Sequence, residues 1–235
     1  MGQKIDFSEN RNIFMPNIQM KKSLLRAVQK VFEYPDYKNT AVNSAIAGYF
    51  DISCDNASIT NGSMEAINLL VKVLERKNAT LFKPTFWGDE DALIRYKYNV
   101  NSVPLDYELK YNINNINIQA QKTDIMFICN PNNPTLDNID RNTLIKIINN
   151  NPNCHFIVDE TMMIFDKNFF NKSLIKYVNT VDNLSVIVSF SKFLGIAGLR
   201  TGAVFSNNEL IEKIKNQIVK TLIFNINDGR SVRRL

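Results

Sequence analysis

Apolar positions along this chain alternate between two spacings. Over 17–31 they recur at helical intervals, with Leu24, Leu25, Val28 and Val31 on one face, which predicts an amphipathic helix. The same interval predicts a helix over 39–50, carrying Val42, Ile46 and Tyr49. A short apolar piece, Ala57-Ser58-Ile59-Thr60, runs into the turn Asn61-Gly62-Ser63, and a strong helical pattern follows through Ile67, Leu70, Val71 and Leu74. Compact apolar runs come next, at Ala79–Phe82, Val100–Val103, Ile125–Cys129, Phe156–Val158, Val186–Ser189 and Ala203–Phe205. Helix-like stretches separate most of them, at 88–97, 140–149, 170–178 and 207–219. Short, fully apolar strands alternating with helices predict an α/β fold, a mostly parallel sheet covered by helices on both faces. The Asn-rich stretch Asn112–Asn117 reads as a polar surface segment between two ordered elements.

In such sheets ligands gather beyond the carboxyl ends of the strands. Four segments occupy those positions. Thr60-Asn61-Gly62-Ser63-Met64-Glu65 opens a helix whose first amides can hold a phosphate, although many such turns hold nothing. Asn130-Pro131-Asn132-Asn133-Pro134-Thr135 forms a rigid turn that a plain loop would equally explain. Asp159-Glu160 ends a buried strand, as functional carboxylates or as a helix cap. Ser189-Phe190-Ser191-Lys192-Phe193-Leu194-Gly195 encloses a lysine among apolar neighbours, a setting that suits an amine attacking a carbonyl, and Arg200 follows as a fixed cation. The alternative there is a snorkelling lysine beside a surface arginine.

Composition narrows the classes. The net charge of +5 suits an anionic small ligand and is too diffuse for nucleic acid. The basic run from Arg230 to Arg234 reads as a loose tail. Cys54, Cys129 and Cys154 are widely spaced, with no metal pattern, and read as reduced thiols of a cytoplasmic protein. No stretch is long and apolar enough to predict a membrane span. Met1-Gly2 fails as a myristoylation signal because residue 6 is Asp.

On these segments, in this order and spacing, the chain resembles the fold-type-I, class I/II aminotransferases from about Asp6 to about Asp228. It looks most like their histidinol-phosphate aminotransferase and threonine-phosphate decarboxylase branches. The most specific element is Ser-x-Ser-Lys followed by Ala197-Gly198-Leu199-Arg200-Thr201-Gly202. The resemblance implies a pyridoxal 5′-phosphate enzyme with Lys192 as the Schiff-base lysine that also moves protons at the substrate Cα. Asp159 matches the partner of the pyridine nitrogen, and Asn133 the donor to the ring oxygen. Ser63 and Met64 match the amides, and Ser189 and Arg200 the side chains, that hold the cofactor phosphate. Phe86 matches the aromatic stacked on the ring. Tyr34 matches a tyrosine that reaches the neighbouring subunit's phosphate, which implies a homodimer.

Residues 36–228 then correspond to the cofactor-binding large domain, 1–35 to an N-terminal arm and helix on the small-domain side, and 229–235 to an aberrant tail. The implied activity is transamination between an amino donor, a small amino acid or amino-phosphate, and a keto acceptor. Decarboxylation of an amino-acid phosphate and a non-catalytic remnant stay open as alternatives. Two positions depart from the family pattern. Met162 stands where a tyrosine often donates to the ring oxygen, and Leu136 where a glycine follows Asn-Pro-Thr. The length predicts a truncated or frameshifted chain without the small C-terminal domain and its carboxylate-gripping arginine; Arg230, Arg233 and Arg234 match no motif for that role.

Overall fold

Residues 9–34 and 36–218 are described by the computed structural model. The ends of the expected resemblance, at Asp6 and Asp228, and the tail 229–235 fall outside them.

One sheet organises the chain. Its strands are β1 (Ala57–Thr60), β2 (Asn78–Lys83), β3 (Asn99–Pro104), β4 (Ile125–Cys129), β5 (His155–Asp159), β6 (Leu184–Ser189) and β7 (Gly202–Phe205). They lie in the order β1-β7-β6-β5-β4-β2-β3. β7 runs antiparallel to both its neighbours, and the remaining pairs are parallel. The expected mostly parallel sheet is therefore present. The reversal of β7 brings its first residue, Gly202, opposite the last residues of β1 and β6, Thr60 and Ser189. The segment before β7 thus enters the same edge that the other loops leave.

The helices are α1 (Ile18–Val28), α2 (Thr40–Phe50), α3 (Ser63–Leu74), α4 (Trp87–Arg95), α5 (Ile113–Ala120), α6 (Arg141–Asn150), α7 (Phe169–Lys172), α8 (Phe190–Phe193) and α9 (Asn208–Gln217). Strand side chains alternate between two cores, which makes three layers. Ile125, Phe127, Ile157, Ile187 and Val204 pack with α3, α4 and α9 through Leu70, Leu93 and Ile211. Met126, Ile128, Phe156, Val158 and Phe205 pack with α2, α5 and α6 through Phe50, Ile116 and Ile148. Phe50 is 2% exposed, and its ring lies 5.0 Å from that of Phe205 and 5.7 Å from that of Phe169.

Three helix expectations need correction. Asn112–Asn117 is not a surface connection: Asn112 caps α5, its side chain accepting from Asn115 N at 3.1 Å, and Ile116 and Ala120 face the core. Asparagine is a poor helix former and a good cap, so its abundance hid the apolar spacing. The stretch 170–178 is not one helix. α7 stops at Lys172 because the Glu160 carboxylate takes the Leu174 amide (2.7 Å) and the Ser173 hydroxyl (2.5 Å), and a separate turn covers Ile175–Tyr177. The first helix ends at Val28 and buries no residue fully; Met20, partly buried, packs against the core, while Leu25 and Val28 stay exposed. Among the described residues no helix is long and apolar enough to cross a membrane.

Candidate active site

The site begins where β1 ends. Gly62 takes φ 81°, ψ 170°, a conformation that side chains resist, and turns the chain into α3. Thr60 Oγ1 donates to Gly62 O (3.0 Å), and Asn61 N donates to Glu65 Oε2 (2.6 Å), which fixes the turn. No side chain caps α3, so the Ser63 and Met64 amides point out of the helix start. The Arg200 guanidinium lies against this turn: a Cβ on Gly62 would sit 2.8 Å from Arg200 Nη2. A Cβ on Gly202 would be 2.6 Å from the Gly62 carbonyl carbon, so only glycine lets β7 enter this close. Ser189, at the end of β6, is buried beside it. Amides, hydroxyls and a guanidinium converge here as they must to hold a phosphate.

Across the cavity, β4 and β5 deliver the other groups. Asn130 is bound to Ile139 at both ends of its amide, with Nδ2 donating to the carbonyl (3.0 Å) and Oδ1 accepting from the N–H (2.8 Å). Asn132 Nδ2 donates to Pro84 O at 2.9 Å. With Asn130 and Asn132 committed to the loop, Asn133 faces the cavity. The loop after β2 sets Phe86 at the start of α4. Gly88 makes room there, since a Cβ would lie 2.6 Å from the Phe86 ring and 2.7 Å from Met64 Sδ. Lys192, on α8, is half-buried. Its carbonyl accepts from Asn12 N at 3.0 Å, and Asn12 Nδ2 donates to Phe193 O at 3.0 Å, so the N-terminal arm is fastened across the lysine segment.

Ser63, Met64, Phe86, Asn133, Asp159, Ser189, Lys192 and Arg200 all line one cavity of about 270 Å³. Tyr34 stands apart from it and is 96% exposed. The acid pair has divided its work, and neither residue is a helix cap. Asp159 is buried, with Oδ1 accepting from Thr161 N at 2.8 Å. Burial raises its carboxyl above the ordinary value, opposed by Thr161 and by the charge of Lys192. Glu160 turns away to hold Ser173 and Leu174, and burial pushes it up to about 7.

Glu9, Arg11, Cys129, Thr161, Ser191 and Ala197 also line the cavity and were not singled out in the sequence. Glu9 and Arg11 face each other (Oε2 to Nε, 3.5 Å) on an arm whose placement depends on main-chain carbonyls, which leave no sequence signal. Cys129 ends β4, and Thr161, Ser191 and Ala197 lie on the turns and short helices within or beside the motifs, so their nearness to the motif residues is the signal that would have found them. Met162 lines the cavity and offers no donor, as its sequence position implied.

A family model described as aminotransferase class I and II matches residues 2–226. The chain is 32% identical over 218 residues to the histidinol-phosphate aminotransferase of Clostridium novyi, a match covering 90% of this chain and 60% of that protein. It superposes on the histidinol-phosphate aminotransferase of Clostridium acetobutylicum with a TM-score of 0.84 at 22% identity, covering 97% of this chain and 69% of that one. The L-threonine-O-3-phosphate decarboxylase of Porphyromonas gingivalis gives a TM-score of 0.82 at 20% identity, with the same coverage of 97% and 69%. At those identities the two structures speak to the fold alone. The chain spans about 60% of the length of the curated relative it matches.

Proposed function

This chain belongs to the class I and II aminotransferase family, and we propose that it binds pyridoxal 5′-phosphate and transfers an amino group between a small amino acid or amino-phosphate and a keto acid, in the manner of a histidinol-phosphate aminotransferase. The observation that carries this reading is one cavity receiving Lys192, Asp159 and the Gly62–Arg200 cradle from separate strand ends. The residues present fit the cofactor. The cradle suits its phosphate, and the buried Asp159 suits a cationic ring nitrogen.

When bound, the cofactor supplies an electron sink for charge developing at the substrate Cα. The chain's own residues do the rest. The Ser63 and Met64 amides, Ser189 and Arg200 would hold the phosphate. Phe86 would cover one ring face and exclude water from it. Asp159 would hold a proton on the ring nitrogen, and the attraction of that cation would oppose the burial that raises its carboxyl. Asn133 would donate to the ring oxygen. Lys192 would attach the aldehyde and carry the proton to and from Cα.

We assign 36–228 to the cofactor-binding domain and 1–35 to its N-terminal arm. Tyr34, exposed and outside its own cavity, suits a role in a second copy, which supports a homodimer as the working form; we place it in the cytoplasm. A second reading, decarboxylation of an amino-acid phosphate, is favoured by Met162, which withholds a donor that the transaminase pattern often has.

Reconstitution with the cofactor tests both. Histidinol phosphate should bleach the bound-cofactor absorbance band and yield the pyridoxamine form, and Lys192→Ala should lack the band. Carbon dioxide release from an amino-acid phosphate without pyridoxamine formation would select the decarboxylase. A chain without any Lys192-dependent band would overturn both.

A further inference from the structure

Among the described residues, the cations lining the cavity are Arg11, Lys192 and Arg200. Two of them already have tasks. Lys192 meets the cofactor aldehyde. Arg200 lies against the Gly62 turn, with Nη1 donating to Ala197 O at 3.2 Å. Arg11 has no task of that kind. Its ionic contact among the described residues is with Glu9, Nε to Oε2 at 3.5 Å, and the two side chains are 53% and 63% exposed. An ion pair that exposed is worth little, so an incoming anion can draw the guanidinium from Glu9 with small loss.

The arm carrying Arg11 is fastened at the next residue. Asn12 N donates to Lys192 O at 3.0 Å, and Asn12 Nδ2 to Phe193 O at 3.0 Å. Asn12 Oδ1 accepts from Phe14 N at 3.0 Å, so both ends of its amide are engaged. Beyond it, Met15 packs against the core, and a Cβ on Gly195 would run into the Met15 carbonyl. The peptide joining Arg11 to Asn12 is thereby held against the main chain of Lys192. The arginine entering the cavity from the arm is anchored beside the residue whose amine does the chemistry.

We propose that Arg11 is a substrate-binding residue of this site. Its guanidinium takes an oxyanion, phosphate or carboxylate, at the carbon next to the amine-bearing carbon of the substrate, and Glu9 holds it until that anion arrives. The assignment rests on the cofactor reading above, which puts the reacting amine at Lys192. The planar fork of arginine matches either oxyanion with two parallel N–H···O bonds. A substrate without the oxyanion leaves Arg11 with Glu9 and gains nothing from it. Arg11 is thus a determinant of specificity for anionic amino substrates.

Histidinol phosphate, histidine and histidinol test this, because they share one skeleton and carry a phosphate, a carboxylate or a neutral alcohol at that carbon. Each is titrated into the cofactor-loaded full chain, and the change in the cofactor absorbance band gives an apparent Kd without requiring turnover. The parent should prefer an anionic ligand over histidinol. Arg11→Gln should weaken that ligand by about tenfold or more and bind histidinol as the parent does. Whichever of histidinol phosphate and histidine shows the Arg11-dependent preference identifies the oxyanion. Arg11→Lys keeps the charge without the fork and should retain part of the preference. Glu9→Gln removes the competing carboxylate and should tighten the anionic ligand alone. Equal weakening of all three ligands in Arg11→Gln would mark a merely structural arm and overturn the assignment. So would a preference that is missing in the parent or unchanged in Arg11→Gln, or a Glu9→Gln that weakens the anionic ligand. A chain lacking any Lys192-dependent band would sink the cofactor reading and this assignment with it, whereas a band with an Arg11-independent preference sinks the assignment alone.

Discussion

Replacing Glu160 with Gln should change how stability depends on pH more than it changes stability itself. The side chain is fully buried, and its two oxygens hold the Leu174 amide and the Ser173 hydroxyl. Its carboxyl is raised from 4.5 to about 7. In the unfolded chain it ionises near 4.5, so the folded state keeps a proton that the unfolded state has lost between these values. The stability this contributes is fully present below pH 4.5 and is lost as pH rises through about 7. A displacement of that size corresponds to about 3 kcal/mol. Glutamine has nearly the same shape, can accept from Leu174 N, and does not titrate. Urea unfolding of parent and Glu160→Gln at pH 4.5 and pH 8 isolates the effect, because other titrating groups cancel in the difference. The variant should gain on the parent by about 3 kcal/mol over that interval. A difference that stays constant with pH would refute the reasoning, as would a gain of opposite sign.

Other consequences follow from packing and exposure. Phe50→Ala empties the meeting point of α2, β7 and α7 and should cost about 3–5 kcal/mol in the same unfolding assay. Gly62→Ala forces a side chain into a glycine conformation against Arg200 Nη2; it should cost about 1–3 kcal/mol and weaken cofactor binding, read by a fluorescence titration. Of the cysteines, Cys54 is exposed while Cys129 and Cys154 are buried, and burial pushes the Cys154 thiol up to about 12. A thiol reagent at pH 8 should therefore label Cys54 in the native chain, mapped by peptide mass, and reach the other two only on unfolding.

Most strands were legible because β4, β5 and β6 are buried on both faces and read as unbroken apolar runs. The direction of β7 was not, since burial pattern carries no sign for strand polarity. The break after α7 was hidden because Glu160, distant in sequence, captures the amide that a longer helix would have used. The motif residues were legible because strand ends gather the site, which is why Lys192, Asp159, Asn133 and Ser63 meet in one cavity. Glu9 and Arg11 reach that cavity on an arm held largely by its Asn12 contacts to the Lys192 and Phe193 carbonyls. Asp89 was not legible: its stretch, 88–97, carries only a helix-like pattern, and the packing of α4 is what turns Asp89 inward while Glu90 and Asp91 pair at the surface.

The proposed chemistry requires one ε-amine to meet the cofactor aldehyde. Borohydride reduction of the cofactor-loaded chain, followed by proteolysis and mass mapping, reads that bond directly. A phosphopyridoxyl mass increment confined to the peptide containing Lys192 is the predicted result. An increment spread over other lysines, or none at all, would contradict it.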